Sequence, residues 1–223
     1  MSGDLLQTKL YVPQRPTGHQ RHDLVSRPRL IERLNQGLTG KLTLISAPAG
    51  FGKTTLIADW IHQLPTANHQ LPISWLSLDE YDNDPNRFWQ YVVAALQTAC
   101  PEPAETAVPR LGAAAQKILQ SDRQTAIEPL LVSLVNDLAA HSEPLLLVLD
   151  DLHTITNPDI FTGLDFFLDY QPPNLRLVII TREDPPLPLS RLRVRGQLCE
   201  IRAADLRFLE AETAVFLNDL LQL

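Results

Sequence analysis

The stretch that decides the fold of this chain is "LTLISAPAGFGKTTLIADW", residues 42–60. An apolar run with β-branched residues leads into a loop of Pro and Gly, and a segment with helical spacing of apolar residues follows. Leu56, Ile57 and Trp60 fall on one side of that segment. The pattern predicts a buried strand, a tight loop and a helix in direct succession.

The loop "APAGFGKT", residues 47–54, fits the relaxed P-loop pattern, with Ala47 in place of the leading glycine. Gly50 and Gly52 allow the backbone to curl around oxygen atoms, and the helix that follows adds the positive end of its dipole. Lys53 is predicted to contact the β- and γ-phosphates, and the Thr54 hydroxyl to ligate Mg²⁺. The alternative is a chance match, but the flanking strand and helix favour a nucleotide-phosphate site.

A second acidic site follows the apolar run "LLLVLDD", residues 145–151. Asp150 is the first polar group after a buried strand, so we expect it beside Thr54 as a ligand of the metal. Asp151 is placed to orient or deprotonate the attacking water, although paired acids at a strand end often only cap the next turn. His153 is either a γ-phosphate contact or a solvated loop histidine.

Another strand, "LRLVII", ends at Thr181 and Arg182. In P-loop ATPases with an extra strand between the two motif strands, the tip of that strand faces the γ-phosphate. Arg182 is therefore predicted to sense this phosphate through charge-assisted hydrogen bonds. The alternative is a surface arginine in a salt bridge.

Strands alternate with helices along the chain, which predicts an α/β fold with a parallel five-stranded sheet, as in P-loop NTPases. We expect residues 1–27 to form an extended arm, residues 28–203 the nucleotide-binding domain, and residues 204–223 the start of a following helical module. Residues 100–115 are rich in Pro and Ala and are predicted to form a surface excursion.

Composition restricts the partners. The 223 residues carry a formal net charge of −7, which argues against a grip on a nucleic-acid backbone. Cys100 and Cys199 lie far apart without metal-ligand spacing, so we expect reduced thiols. No apolar run is long enough for a signal peptide or a membrane span, which predicts a soluble cytoplasmic protein without a membrane partner.

Several longer segments carry a family resemblance. "LISAPAGFGKTTL", "WLSLDEYDNDPNRFWQYVVAAL", "LVLDDLHTI" and "LVIITREDPPLPLSRLRVRGQLCEI" occur in one order, between "KLYVP" and "DLRFLEAETAVFL". Together they resemble the nucleotide-binding domain of the STAND signalling ATPases, in the MalT-like branch of the large LuxR-family transcriptional activators. The resemblance runs over residues 6–217 and implies a sheet of the ASCE type.

The resemblance implies ATP or ADP at a run of residues and Mg²⁺ at Thr54 and Asp150. The run is Ala49, Gly50, Phe51, Gly52, Lys53, Thr54 and Thr55; taken alone, Thr55 is simply the next helical residue. An adenine-side contact is implied near Val25, Ser26 and Arg27, where the alternative is a helix cap. Asp79 either joins the catalysis or pins the turn that follows it.

For function, the resemblance implies a nucleotide-dependent switch with slow ATP hydrolysis. The full-length protein is expected to self-associate in its ATP-bound state and to contact DNA only through a C-terminal domain that this chain lacks. One alternative is a small-molecule kinase, with Arg191, Arg193 and Arg195 as a lid over the phosphates. Another is a module that binds nucleotide without hydrolysing it, whereas a GTPase is disfavoured because no NKxD motif occurs.

Overall fold

A computed structural model describes residues 5–14, 25–64, 71–100, 110–120, 127–210 and 212–214. Five strands form one sheet, in which every neighbouring pair is parallel and the order is β2-β3-β4-β1-β5. The strands are β1 (Leu42–Ser46), β2 (Ile73–Ser77), β3 (Leu145–Asp150), β4 (Leu175–Thr181) and β5 (Leu198–Arg202). The predicted parallel five-stranded sheet is confirmed.

Helices cover both faces of the sheet. They are α1 (Pro28–Gly37), α2 (Lys53–Gln63), α3 (Pro85–Ala99), α4 (Ala113–Gln120), α5 (Ile127–Ala140), α6 (Pro158–Tyr170), α7 (Leu189–Val194) and α8 (Ala203–Leu206). One apolar core joins α1, α2 and α8 to the sheet, and a larger core joins α3 to α7 to the opposite face. Because both faces are covered, β1 and β3 are buried along their whole length, as their continuous apolar sequences indicate. None of the helices described here is long and apolar enough to cross a bilayer.

The strand order brings the two sequence motifs together. β4 lies between β1 and β3 and pairs with both in parallel. The carboxyl ends of these three strands therefore meet at one edge of the sheet, where the phosphate loop, Asp150 and Arg182 all follow their strands. This is the edge at which open α/β sheets place their ligands.

The N-terminal segment differs from the extended arm that its composition predicts. Gln7–Leu10 form a 3₁₀ turn in which Lys9 and Leu10 are buried against the sheet. The Lys9 ammonium lies 2.5 Å from an oxygen of the fully buried Asp82 and 4.9 Å from the centre of the Tyr91 ring. An ion pair and an aromatic ring hold this segment. Neither contact could be predicted from its polar composition. The rest of the predicted arm, residues 1–4 and 15–24, lies outside the described residues.

Two further differences concern helices. α4 begins at Ala113, inside the segment predicted to be a surface excursion, because Ala115 faces the core and Gly112 allows the turn before it with a φ of 72°. The proline-rich part, residues 101–109, lies outside the described residues. α7 was not predicted, since its six residues are too few for a periodic pattern.

Candidate functional site

The loop between β1 and α2 has the backbone that its glycines predict. Gly50 and Gly52 have φ values of 82° and 71°, which side-chain-bearing residues rarely adopt, and Gly52 is the N-cap of α2. A Cβ atom added at either glycine meets nothing within 4 Å, so the space beside the two Cα atoms is open. The first N–H groups of α2 have no acceptor within the helix, which makes this end suited to an anion.

Three side chains converge beneath the loop. The Thr54 hydroxyl donates to the Asp150 carboxylate, with oxygen–oxygen distances of 3.1 and 3.3 Å. The Lys53 ammonium is buried and donates to the Pro48 carbonyl at 3.0 Å. The P-loop threonine and the strand-end acid, separated by 96 residues in sequence, are thus in direct contact. Hydroxyl and carboxylate oxygens are the ligands that Mg²⁺ takes in phosphate-binding sites, so this pair fits the implied metal.

The two acids after β3 have different environments. Asp150 is 4% exposed, and burial together with the neighbouring charge of Asp151 raises its pKa to about 6. The Thr54 hydroxyl and the N–H of Asp151 oppose this rise. The side chain of Asp151 is half-exposed, and its backbone has a φ of 58°. Asp150 is therefore a desolvated anion that a cation would stabilise, whereas Asp151 projects towards solvent from a strained backbone.

His153 and Arg182 complete this edge. The His153 Nδ1 atom lies 3.6 Å from Asp151, and burial followed by the charge of Arg182 lowers the pKa of this imidazole. Burial also lowers the pKa of Lys53, where Asp151 raises it and Arg182 lowers it. Arg182 is exposed and has no ion-pair partner in the described part of the chain, so the predicted surface salt bridge is not observed there.

A cavity of about 350 Å³ opens on the other side of the loop. Its lining comes from three regions of the sequence: the segment before α1, the loop with α2, and residues 203–210, which we call the C-terminal strap. The lining residues are Val25, Arg27, Gly50, Phe51, Gly52, Thr55, Leu56, Asp59, Leu206, Arg207 and Phe208. The structure thus brings Val25, Arg27 and Thr55 to the predicted loop, whereas Ser26 is exposed and does not line the cavity.

Arg27 fixes the strap rather than projecting freely into the cavity. Its Nη2 atom donates to the carbonyls of Leu206 at 2.7 Å and Arg207 at 3.1 Å, and its guanidinium lies 5.0 Å from the centre of the Phe208 ring. Glu212 approaches the same nitrogen at 3.6 Å. Burial lowers the pKa of this guanidinium. Arg29 reinforces the arrangement with a 2.7 Å hydrogen bond to the carbonyl of Asp205.

The prediction of an arginine lid over the phosphates, which belongs to the kinase alternative, is wrong. Arg191 pairs with Asp165 and Asp169 of α6 at 2.8 and 2.6 Å, and Arg193 with Glu200 at 2.8 Å. These arginines lie on α7 and in the turn at Arg195 that leads into the start of β5. That turn adjoins the start of β1, because the backbone carbonyl of Gln197 accepts hydrogen bonds from the Lys41 and Leu42 N–H groups. The phosphate loop lies at the opposite edge of the sheet.

Asp79 has a structural position. Its carboxylate accepts from the Tyr81 N–H at 2.9 Å, caps the 3₁₀ turn Glu80–Asn83 and lies 2.7 Å from the Lys9 ammonium. Of the two alternatives for this acid, its contacts favour the pinning of the turn.

Sequence analysis missed the contributions of Asp59 and of the strap to the cavity. Asp59 was overlooked because it lies among apolar residues of a helix whose signal is its buried face. Leu206 and Phe208 carry no local signal at all, since only the tertiary fold brings them to a loop more than 150 residues earlier.

Comparison with known proteins supports this architecture. Residues 24–180 match the family described as the AAA ATPase domain. Among solved structures, Cdc6p from Pyrobaculum aerophilum superposes with a TM-score of 0.51 at 18% identity, covering 86% of this chain and 46% of that one. The likeness to Cdc6p concerns the fold alone.

Curated relatives share much more of the sequence. The chain is 39% identical over 194 residues to the HTH-type transcriptional regulator MalT of Cronobacter sakazakii. It is 40% identical over 194 residues to the regulator of the same name from Yersinia enterocolitica. Each alignment covers 87% of this chain and 20% of the relative. The chain therefore spans about a fifth of the length of the curated relatives it matches.

Proposed function

The chain belongs to the family of AAA ATPase domains, and from this premise we propose that it binds ATP and ADP with Mg²⁺ and serves as the nucleotide-dependent switch of a MalT-like transcriptional regulator. The observation that carries the proposal is the 3.1 Å contact between Thr54 and Asp150 beneath an open glycine loop. A loop with those two glycines offers backbone N–H groups to a polyphosphate, and Lys53 supplies one positive charge.

Thr54 and Asp150 are the residues that would hold Mg²⁺, Asp150 through water. The ion supplies positive charge for the terminal phosphates, and it favours the ionised form of a carboxylate whose burial raises its pKa to about 6. Lys53 would bind the β- and γ-phosphates. Its ammonium needs to leave only one carbonyl, that of Pro48, to do so.

The hydrolytic role falls to Asp151, and the sensing role to Arg182. Asp151 is the half-exposed acid at the rim, where water reaches its side chain, so it can accept a hydrogen bond from an attacking water. Arg182, exposed at the end of the strand between the two motif strands, would bind the γ-phosphate of ATP and have no such partner in ADP. His153, whose pKa is lowered, would be neutral at pH 7 and act as a polar contact.

The switch requires that the protein distinguish its two nucleotide states. A ligand shifts an equilibrium between two conformations only by its difference in affinity for them. The γ-phosphate side provides that difference through Lys53 and Arg182. The C-terminal strap, which forms one wall of the cavity, would transmit the nucleotide state to the rest of the protein. It is the segment that leads towards residue 223.

The regulator as a whole is proposed by analogy with the curated relatives, whose name states an HTH-type transcriptional regulator. DNA contact would come from a region outside this chain, since a formal net charge of −7 disfavours a phosphate backbone here. Self-association of the full-length protein in its ATP-bound state completes the proposal.

Calorimetric titration of the purified chain with MgADP and MgATP tests the binding, and we expect saturable binding of both nucleotides at one site. A single-turnover assay with [γ-³²P]ATP then tests hydrolysis, in which Asp151→Asn should keep the binding and lose the phosphate release. The absence of binding at millimolar nucleotide would overturn the proposal. Binding with no hydrolysis by the unaltered chain would reduce it to a binding module.

A further inference from the structure

Three segments of the proposed site begin side by side at the carboxyl edge of the sheet. In the strand register, Ser46 at the end of β1 lies opposite Thr181 of β4 on one side and Arg202 of β5 on the other. The phosphate loop follows Ser46, the turn with Arg182 follows Thr181, and the C-terminal strap follows Arg202. Contacts among the residues at these strand ends can therefore hold the three segments relative to one another.

The turn that carries Arg182 is fixed at its start by a buried side chain. The residue Thr181 is 1% exposed, and its hydroxyl donates to the carbonyl of Glu183 at 2.9 Å. The carbonyl of Thr181 accepts from the Ala47 N–H at 3.3 Å. This end of the turn is thus attached to the first residue of the phosphate loop.

Asp184 fixes the other end of the same turn. Its carboxylate pairs with the Arg202 guanidinium, and the Ser46 hydroxyl hydrogen-bonds to it as well. The hydrogen bond from Arg202 holds the pKa of this carboxyl below its usual value, so Asp184 is an anion at neutral pH. Glu200 pairs with the same guanidinium and so orients it. Both partners of Asp184 belong to strands whose positions the sheet fixes.

The contribution of this ion pair is to geometry rather than to stability. The side chains of Asp184 and Arg202 are 52% and 32% exposed, and pairs of that exposure add little to the free energy of unfolding. With both ends of the turn held, however, the exposed Arg182 side chain leaves the backbone from a defined position. A side chain that is oriented beforehand loses less freedom when it binds its ligand.

We infer that Asp184 is a positioning residue of the γ-phosphate sensor, which through its contacts with Arg202 and Ser46 holds the turn that presents Arg182 to ATP. The inference deepens the proposed function and rests on it. Charge and position predict effects of opposite sign for this acid. If charge alone acts, loss of an acid near a polyphosphate strengthens the binding of ATP, whereas loss of the residue that orients Arg182 weakens it.

The test is a competition titration of MgATP and MgADP with Arg182→Ala, Asp184→Ala and the double variant. We expect Asp184→Ala to bind MgATP about twofold to fivefold more weakly and MgADP as before, because it acts through Arg182. The double variant should lose no more affinity for MgATP than Arg182→Ala does. Glu183→Ala removes the neighbouring exposed acid of the same turn, and as the matched control it should bind MgATP no more weakly than the unaltered chain.

Three results would overturn the assignment while the proposed function stands. Tighter binding of MgATP by Asp184→Ala would show that the acid acts through its charge alone. Equal weakening of MgATP and MgADP would show a general structural role, and an additive loss in the double variant would show that Asp184 acts without Arg182. Failure of the unaltered chain to bind either nucleotide would refute the proposed function, and this inference with it.

A melting curve separates positioning from folding. Because the pair is partly exposed, the melting temperature of Asp184→Ala should stay within about 3 °C of that of the unaltered chain. If the alanine variant melts earlier, Asp184→Asn decides the matter by the same ratio of affinities, since it keeps the shape of the side chain and removes its charge. A ratio of MgATP to MgADP affinity that is unchanged in a folded variant would overturn the inference.

Discussion

The two sides of the proposed nucleotide site are built in opposite ways. We call them the phosphate side, with Lys53, Thr54 and Asp150, and the base side, with Arg27 and the C-terminal strap. On the phosphate side, Lys53 and Thr54 are adjacent, their acid follows a buried strand, and one carboxylate there has a raised pKa of about 6. On the base side, Arg27 meets the C-terminal strap across about 180 residues of sequence, and its Nη2 atom is paired with carbonyls. One side holds an unfavourable buried charge that a bound cation would relieve, whereas on the other side the buried guanidinium already has the strap carbonyls as acceptors. We therefore expect the loss of a charged group to raise the stability of the chain on the phosphate side and to lower it on the base side.

The largest effect expected on the phosphate side is that of Lys53→Ala. Loss of the one buried ammonium beside the loop should weaken ADP and ATP alike by about 100-fold to 1,000-fold, or about 3–4 kcal/mol. Calorimetric titration measures it, with Lys117→Ala on the exposed face of α4 as the control that removes the same charge elsewhere. Unchanged affinity would refute the assignment of the phosphate loop.

Asp150→Asn should stabilise the chain in EDTA without nucleotide. The folded pKa of about 6 lies above the ordinary value of 3.8, so the folded state binds the proton more tightly than the unfolded state does. The stability that this group contributes is therefore full below pH 3.8 and is lost as the pH rises through 6. At pH 8 the free energy of unfolding of the variant should exceed that of the unaltered chain by about 2–3 kcal/mol.

Urea unfolding at pH 8 and at pH 5 measures this gap, which should narrow at the lower pH. Addition of Mg²⁺ and ADP should reverse the order, because only the unaltered chain keeps the carboxylate. A variant less stable than the unaltered chain at pH 8 would contradict the unfavourable buried charge that we ascribe to Asp150.

Arg27→Ala should act in the opposite direction on stability. It leaves the Leu206 carbonyl without its donor and removes one of the two donors to the Arg207 carbonyl, which should cost about 2 kcal/mol in the free energy of unfolding. It should also weaken the binding of ADP about tenfold, because a wall of the cavity loosens. Arg29→Ala is the matched variant, since it binds the same strap but does not line the cavity.

We expect Arg29→Ala to lose about 1 kcal/mol of stability and to bind ADP as before. Urea unfolding and titration separate the two variants. Equal losses of ADP affinity in both would show that the strap, and not the residue at the cavity, governs the base side.

Arg182→Ala should give the smallest effect, one confined to the γ-phosphate. We expect MgATP to bind about fivefold more weakly, roughly 1 kcal/mol, and MgADP to be unchanged. Competition titrations of the two nucleotides measure the ratio, and Arg110→Ala at an exposed position away from the site serves as the control. A parallel loss of both affinities would remove the sensor role.

The sequence predicts the phosphate side of the site much better than the base side. The apolar runs and the polar residues that end them predict the five strands, their parallel pairing and the meeting of Thr54 with Asp150, because a buried strand and its first polar residue are local signals. The resemblance to MalT-like regulators, carried by longer segments, is confirmed by the curated relatives. The limits of the three proposed regions stay a prediction.

The base side could not be predicted in this way. Only the family resemblance indicated Val25 and Arg27, and nothing local indicated Asp59 or Phe208. The arginine lid weighed for a kinase failed for a related reason. Arg191, Arg193 and Arg195 follow β4, and a parallel sheet must carry the chain back to its other edge before the next strand begins.

The position of β4 between β1 and β3 also sets an order of events during synthesis. The phosphate loop leaves the ribosome early, but its partner acid is not placed until the strand ending at Thr181 has been inserted between the two older strands. The cavity is complete only after Phe208 has been synthesised, because this residue forms part of its lining. Such long-range pairing is slow. A nascent chain shorter than about 210 residues should therefore gain no stability from ATP, whereas a longer chain should be stabilised by ATP as a ligand of its folded state.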